Sequence, residues 1–278
     1  MDTESKFDQL QALLRSYGSV IIAYSGGVDS AFLARVAHDV LGAKSLAVIA
    51  DSESLPRREY DEALAIGRQF GFPVRVVKTN ELNDPRYASN PVNRCYFCKH
   101  ELFEHLVPIA RAEGFAVIAY GENASDGGDF RPGAQAATEF QIKAPLKEVG
   151  LTKVEIRELS ARLGLPTADK PQMACLSSRI PHGEEVTEEK LHMIEAAETF
   201  LRDLGFYDVR VRHHTLKPSN YLARIEVGSD ELPKLLGNGL TEQVAARLRE
   251  IGYAHVTVDL KGYRRGSLNE MLVQIARR

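Results

Sequence analysis

The 278-residue chain has no tryptophan, only three cysteines and no excess of positive charge. It also has no run of about 18 apolar residues, so a transmembrane helix is not expected. The start, Met1-Asp-Thr-Glu-Ser-Lys6, is acidic and polar. It lacks the basic segment and apolar stretch of a secretory signal, and a cytoplasmic location is the expectation. With 35 Lys+Arg against 38 Asp+Glu, the net charge is −3. That balance argues against a generally basic nucleic-acid surface. A local patch stays open, because Arg210, Arg212, Arg224, Arg264 and Arg265 all lie in the last third. Three cysteines, Cys95, Cys98 and Cys175, are an odd number and argue against a closed disulfide framework. A CxxC pair with one distant Cys points instead to a metal, a cluster or redox chemistry. Internal repeats and low-complexity tracts are absent.

What is present is the balance of a soluble globular protein, 44% hydrophobic and 26% charged. The length suits one large domain or two of ordinary size. In the first half, short apolar runs alternate with helical periodicity. Strands are expected at 19–24, 45–50, 73–77 and 115–119, and helices at 29–41 and 56–70. Such alternation implies parallel βαβ units in a doubly wound α/β sheet, with ligands at the carboxyl ends of the strands. Residues 80–94, rich in Asn and Pro, read as a loop delivering Cys95 and Cys98 to the top of the sheet. Thr152-Lys-Val-Glu155 reads as a capping box opening a helix. After about Gly183 the pattern changes. A helix is expected from Thr187 to Leu204, strands at 207–212, 221–227 and 255–260, and a helix at 241–251. The expected organisation is a domain at 1–183 carrying the cysteines and a smaller α+β domain at 184–278, for substrate binding or oligomerisation.

Tyr24-Ser-Gly-Gly-Val-Asp-Ser30 follows a strand and opens a helix. Gly26 and Gly27 let the backbone turn tightly and bring N–H groups to an anion. Ser25 and Ser30 add hydroxyl donors, and the helix N-terminus adds a favourable dipole. Asp29 would repel bare phosphate, which suggests a bridging Mg²⁺. No Lys follows the glycines, so this is not the Walker pattern.

The SGGVDS string resembles the pyrophosphate loop of the ATP pyrophosphatases, the adenine nucleotide α-hydrolase-like fold. That resemblance implies cleavage of ATP between the α and β phosphates, adenylation of the substrate, and displacement of AMP by a nitrogen or sulfur nucleophile. It also implies that Ala50 and Ser52 line the adenosine pocket and that Gly121 sits beside the nucleotide. Four further strings narrow the choice: Cys95-Tyr-Phe-Cys-Lys-His-Glu-Leu-Phe103; Gly121-Glu-Asn-Ala-Ser-Asp126 with Asp129-Phe-Arg-Pro-Gly133; Cys175-Leu-Ser-Ser-Arg-Ile-Pro-His-Gly183; and Val209-Arg-Val-Arg-His213 with Ala223-Arg-Ile-Glu226. Together with the loop they resemble the LarE family, ATP-dependent sulfur transferases that act on pyridinium biscarboxylic acid mononucleotide on the route to the nickel-pincer nucleotide. The resemblance runs from about Val20 to Asn269.

By that resemblance, a substrate carboxylate is adenylated and then converted to a thiocarboxylate. Cys175 matches the position that supplies sulfur. Some members hold only that cysteine and give up its sulfur, ending as dehydroalanine. The additional Cys95 and Cys98 imply the other type, in which three thiolates hold a 4Fe–4S cluster. One iron is then left open for the hydrosulfide that is delivered, and sulfide or a sulfur donor recharges it. A zinc half-site completed by His100 or His182 is an alternative for the CxxC pair. Homo-oligomers, hexamers included, are also implied.

Lys99 is either a second phosphate contact or an exposed helix lysine. Asp126 either assists the metal or closes a turn. Arg210 and Arg212 share one strand face and Arg179 follows the cysteine, so these three are expected to bind the substrate phosphate and carboxylates. Glu226 would orient them, bind a cation or form a surface salt bridge, and of His213 and His214, which face opposite ways, at most one belongs to a site. A tRNA thiolase of the same superfamily is the nearest rival, but the acidic balance gives RNA little to hold. An amidating synthetase would not need three cysteines, and a nucleotide sensor would leave them unexplained.

Overall fold

In the computed structural model, residues 1–128, 132–171, 174–237 and 239–264 are described. Asp129, Phe130 and Arg131 of the DFRPG string lie outside the described residues, as do Arg265 and Asn269. The chain divides into two compact units, Met1–Tyr87 with Val92–Met173, and Ala88–Pro91 with Ala174–Arg278. The segment 174–183 therefore belongs to the second unit, whereas the expected boundary leaves it in the first.

The first unit runs α1 (Thr3–Tyr17), β1 (Val20–Ala23), α2 (Val28–Leu41), β2 (Ser45–Asp51), α3 (Arg57–Phe70), β3 (Val74–Lys78), α4 (Pro85–Ala88), α5 (Arg94–Glu113), β4 (Val117–Tyr120), α6 (Pro132–Glu139), α7 (Pro145–Glu148) and α8 (Lys153–Arg162). Its four strands are parallel in the order β3-β2-β1-β4. Side chains alternate across a strand, so β1 feeds two cores at once. Val20 and Ile22 pack with Leu10, Phe32, Ile156 and Leu159 from α1, α2 and α8. Ile21 faces the other way, joining Val48, Phe103, Leu106 and Ala137 from β2, α5 and α6. Helices on both faces make the sheet doubly wound, as the alternation implies. Burying each large side chain of this kind is worth about 1.5–3 kcal/mol. The strand order reverses at β1, with β2 on one side and β4 on the other, and the gap at their carboxyl ends is where such sheets bind ligands.

Sequence pattern and structure differ in detail. Residues 80–94 are not all loop: a 3₁₀ turn at Glu81–Asn83 and α4 interrupt them, and Arg94 already starts α5. Helix α1 has no counterpart in the expected elements.

The second unit contains α9 (Glu188–Asp203), β5 (Val209–Lys217), β6 (Asn220–Val227), α10 (Leu232–Leu236), α11 (Leu240–Ile251) and β7 (Tyr253–Val258). Its sheet has the order β5-β6-β7, with β5 antiparallel and β7 parallel to β6. Val209, Val211, Ala223, Ile225 and Val227 pack against Met193, Ala197 and Leu201 of α9 and Val244 and Leu248 of α11. Arg210, Arg212, Arg224 and Glu226 alternate with these apolar residues. Two outward N–H groups of the edge strand β5 are taken up by carboxylates: Val211 donates to Glu198 at 3.0 Å and Thr215 to Glu184 at 3.0 Å. Among the described residues no helix is long and apolar enough to cross a membrane.

Candidate active site

The loop between β1 and α2 has the conformation its glycines allow. Gly26 sits at φ +71°, and a Cβ there would stand 2.6 Å from the Ala63 Cβ. Gly27 is the N-cap of α2 with no side-chain cap, so the first N–H groups of that helix are not taken by a capping side chain. The two serines brace the turn: Ser30 Oγ accepts from the Ser25 N–H at 3.2 Å, lies 3.1 Å from Ser25 Oγ and donates to the Gly27 carbonyl at 3.2 Å. Gly121, directly after β4, closes on this loop. A Cβ on it would lie 2.9 Å from the Ser30 nitrogen and 3.1 Å from the Asp29 Cβ. The loops after β1 and β4 therefore meet at the switch point.

Asp29 has two unlike oxygens. Oδ2 accepts from Lys153 Nζ at 2.7 Å, whereas Oδ1 is buried with no hydrogen-bond partner. A buried carboxylate oxygen without a donor suits a cation, and this is the observation that fits Mg²⁺ to Asp29. Lys153 is a residue that sequence reasoning missed. The Thr152–Glu155 capping box is present, with Thr152 N–H donating to Glu155 at 2.8 Å, and it sets Lys153 at the first position of α8. A cation at a helix N-terminus opposes the dipole, and that mismatch was the available signal.

Glu122, next to Gly121, is buried and accepts from Lys147 Nζ at 2.7 Å and from the Tyr120 hydroxyl. Burial pushes its carboxyl up, but the hydrogen bonds from Lys147 and Tyr120 and the charges of Lys147 and Lys99 hold it below the usual range. Lys99 Nζ lies 4.3 Å from the centroid of the Tyr120 ring, and its stem packs against Gly133. Asp126 takes part in a turn: its Oδ2 accepts from the Asn123 N–H at 3.2 Å, and its own N–H donates to the Asn123 carbonyl. Ala50 pairs with Val77 at the end of β2. Ser52 is buried, accepting from the Ser54 N–H at 3.0 Å and donating to Glu81, a buried carboxylate that the sequence did not single out.

None of the three cysteines is in a disulfide. Cys95 and Cys98 stand one turn apart at the start of α5, in the first unit. Cys175 belongs to the second unit, as N-cap of a 3₁₀ turn at Leu176–Arg179. Three thiols are the right donor chemistry for three irons. Among the described residues, however, no three metal-ligating side chains are gathered as a metal site.

The arginines expected at the substrate are occupied by protein groups. Arg179 is fully buried. Its Nε and one terminal nitrogen each donate to Glu198 at 2.8 Å, and the other donates to the carbonyls of Ala174 at 2.7 Å and Cys175 at 3.0 Å. Burial alone would raise the Glu198 carboxyl, but the charge and hydrogen bonds of Arg179 overcome it and hold the group low. Arg212 donates to Glu226 Oε2 at 3.0 and 2.7 Å and to the Ser178 carbonyl at 3.0 Å. Arg210 donates to the Val209 carbonyl and lies over the Tyr263 ring. Arg224 pairs with Glu226 and Asp259. Arg179, Arg212 and Arg224 are thus each paired with an acid. His213 and His214 do face opposite ways: His213 is buried between the Tyr221 and Tyr253 rings, and His214 accepts from Arg224 at 3.4 Å.

A family profile described as NAD synthase matches residues 4–90. An uncharacterized protein of Synechocystis sp. is 42% identical over 98% of this chain and 99% of its own length. The pyridinium-3,5-bisthiocarboxylic acid mononucleotide synthase of Lactiplantibacillus plantarum is 34% identical over 95% of this chain and 94% of its own. The glutamine-hydrolyzing GMP synthase of Thermomicrobium roseum is 29% identical over 66% of this chain and 39% of its own. The near end-to-end match to the bisthiocarboxylate synthase, on a parallel sheet with this loop at its switch point, places the chain in the LarE family, ATP-dependent sulfur transferases of the PP-loop ATP pyrophosphatase superfamily.

Proposed function

We propose that this enzyme adenylates a carboxylate of pyridinium biscarboxylic acid mononucleotide and converts it to a thiocarboxylate, releasing AMP and pyrophosphate. The observation that carries the reading is the Ser25–Ser30 loop closed against Gly121, with one Asp29 oxygen held by Lys153 and the other unpartnered. The name of the Lactiplantibacillus relative supports the substrate class.

In the first step the substrate carboxylate attacks the α-phosphorus, the α–β bridge breaks, and pyrophosphate leaves with the bond electrons. The residues of the first unit do little covalent work here. Backbone N–H groups at Gly27 and the start of α2 receive the leaving phosphates, and Lys153, Lys147 and Lys99 balance their charge. Asp29 would hold Mg²⁺, which neutralises developing charge on phosphate oxygens when bound. In the second step a sulfur nucleophile attacks the acyl carbon and the bond to AMP breaks.

Cys95, Cys98 and Cys175 would hold the 4Fe–4S cluster, which when bound supplies inorganic sulfur and spares the cysteines. Direct donation by Cys175 is the competing route. Iron and acid-labile sulfide are measured on protein reconstituted without oxygen, alongside the mass of the chain after turnover. About four irons per chain, lost with the sulfide in Cys95→Ser, is the expected result. An iron-free protein whose Cys175 loses its sulfur would replace the cluster by the sacrificial route.

A further inference from the structure

The turn bearing Cys175 is held from below by two buried ion pairs. Arg179 reaches back under its own turn to the carbonyls of Ala174 and Cys175, on either side of the Cys175 Cα, and Glu198 of α9 fixes the guanidinium by a two-point fork. Arg212 of β5 holds the Ser178 carbonyl and is itself fixed by Glu226 of β6. The Cys175 carbonyl also accepts from the Ser178 N–H at 3.0 Å, so one oxygen closes the turn and receives the clamp. Leu176 and Ser177 are buried within the turn.

Buried ion pairs of this kind add little net stability, because desolvating both charges consumes most of the Coulombic gain. A planar fork does, however, fix direction. Each of these two forks ends on backbone oxygens of one five-residue segment. We propose that Arg179, oriented by Glu198, is a positioning residue that sets the backbone of Cys175 for sulfur transfer, with Arg212 and Glu226 as a second hold at Ser178. The inference rests on the sulfur-transfer reading above for its activity arm, but not for its structural arm.

The test uses full-length protein and two variants, Arg179→Lys and Glu198→Gln. Lysine keeps the charge at 179 but cannot span a carboxylate and two carbonyls. Three quantities are read: ATP–pyrophosphate exchange with the pyridinium biscarboxylic acid mononucleotide, thiocarboxylate formation, and amide hydrogen exchange at Ser178 and Ile180 without substrate. A misplaced reacting group costs on the order of 100-fold, so thiocarboxylate formation falls by about that factor while adenylation exchange stays within about twofold. The Ser178 and Ile180 amides exchange at least ~10-fold faster in the variants, as local opening becomes easier. Glu198→Gln gives the same pattern and carries the test if Arg179→Lys does not fold. Wild-type amide exchange and transfer in both variants would overturn the clamp. So would unchanged amide exchange with adenylation lost and a raised KM for the pyridinium substrate, which would return Arg179 to substrate binding. A wild-type enzyme without adenylation exchange would sink the proposed reaction, and the amide comparison would still decide the clamp.

Discussion

Lys153 Nζ lies 2.7 Å from Asp29 Oδ2 across 124 residues of sequence, and this contact leaves Asp29 Oδ1 as the oxygen without a donor. The pair divides the carboxylate into a held side and an available side.

Asp29→Asn is expected to cut ATP–pyrophosphate exchange at least ~100-fold, about 2.7 kcal/mol of transition-state stabilisation. Lys153→Met is expected to raise the KM for MgATP about tenfold and leave that for the pyridinium substrate unchanged, since it removes one phosphate-side charge. Steady-state kinetics with each substrate varied in turn checks both. Equal increases in the two KM values would remove Lys153 from the nucleotide side.

The glycines of the loop differ in what they tolerate. Gly26→Ala places a Cβ at positive φ and into Ala63, which costs about 1–3 kcal/mol. Gly27 has φ −79° and no contact closer than 3.5 Å for a new Cβ, so Gly27→Ala loses only the advantage of glycine over alanine at this N-cap and is expected to cost about 0.5–1 kcal/mol, less than Gly26→Ala. Urea unfolding of the two variants measures the contrast.

Helix α8 is the platform for Lys153, and its capping box holds the first turn. Thr152→Ala is expected to cost about 1 kcal/mol and to weaken MgATP binding less than Lys153→Met does. Thermal unfolding with and without MgATP separates the two effects.

His213 makes the stability of the second unit depend on pH. Burial first, and then the charges of Lys190 and His214, lower its pKa from 6.5 to about 4. Its Nδ1 lies 3.3 Å from the Tyr253 hydroxyl, and its Nε2 is buried without a partner. Above pH 6.5 the ring is neutral in folded and unfolded chains alike, and its contribution is complete. As pH falls from 6.5 towards 4, only the unfolded chain takes up the proton, and stability declines. Below about 4 the folded ring protonates too and the loss levels off. A depression of that size corresponds to about 3 kcal/mol. Denaturant unfolding between pH 7 and 4 is expected to show this decline in the wild type and a flatter profile in His213→Phe. Parallel profiles would remove His213 as its source.

Much of the first unit was legible because its signals are local. The apolar run at β1, the two glycines and the helix start at α2 are contiguous, and so are the Thr152 and Glu155 of the capping box. Helix α1 was not read, since its buried Leu10 and Leu14 sit within a polar opening. The site was less legible because its decisive contacts join distant residues. A period of two puts Arg210 and Arg212 on one face and points to Glu226 on the next strand as their partner, but it cannot say that Arg212 also reaches the Ser178 carbonyl. The turn after Cys175 gave no sign that Arg179 bends back onto it, because that depends on Glu198 of α9. Such contacts are set by packing between elements, and no residue spacing encodes them.

The carboxylates of Glu198 and Glu184 on the outward N–H groups of β5 bear on self-association. An open strand edge is a template on which another chain can extend a sheet. At β5 an incoming strand would have to displace both acids, and displacing Glu198 would free the guanidinium of Arg179 inside the fold. Joining two copies through this edge would therefore disturb the cysteine turn. The carboxylate that guards the strand against unwanted pairing is the same one that steadies the residue beside the sulfur.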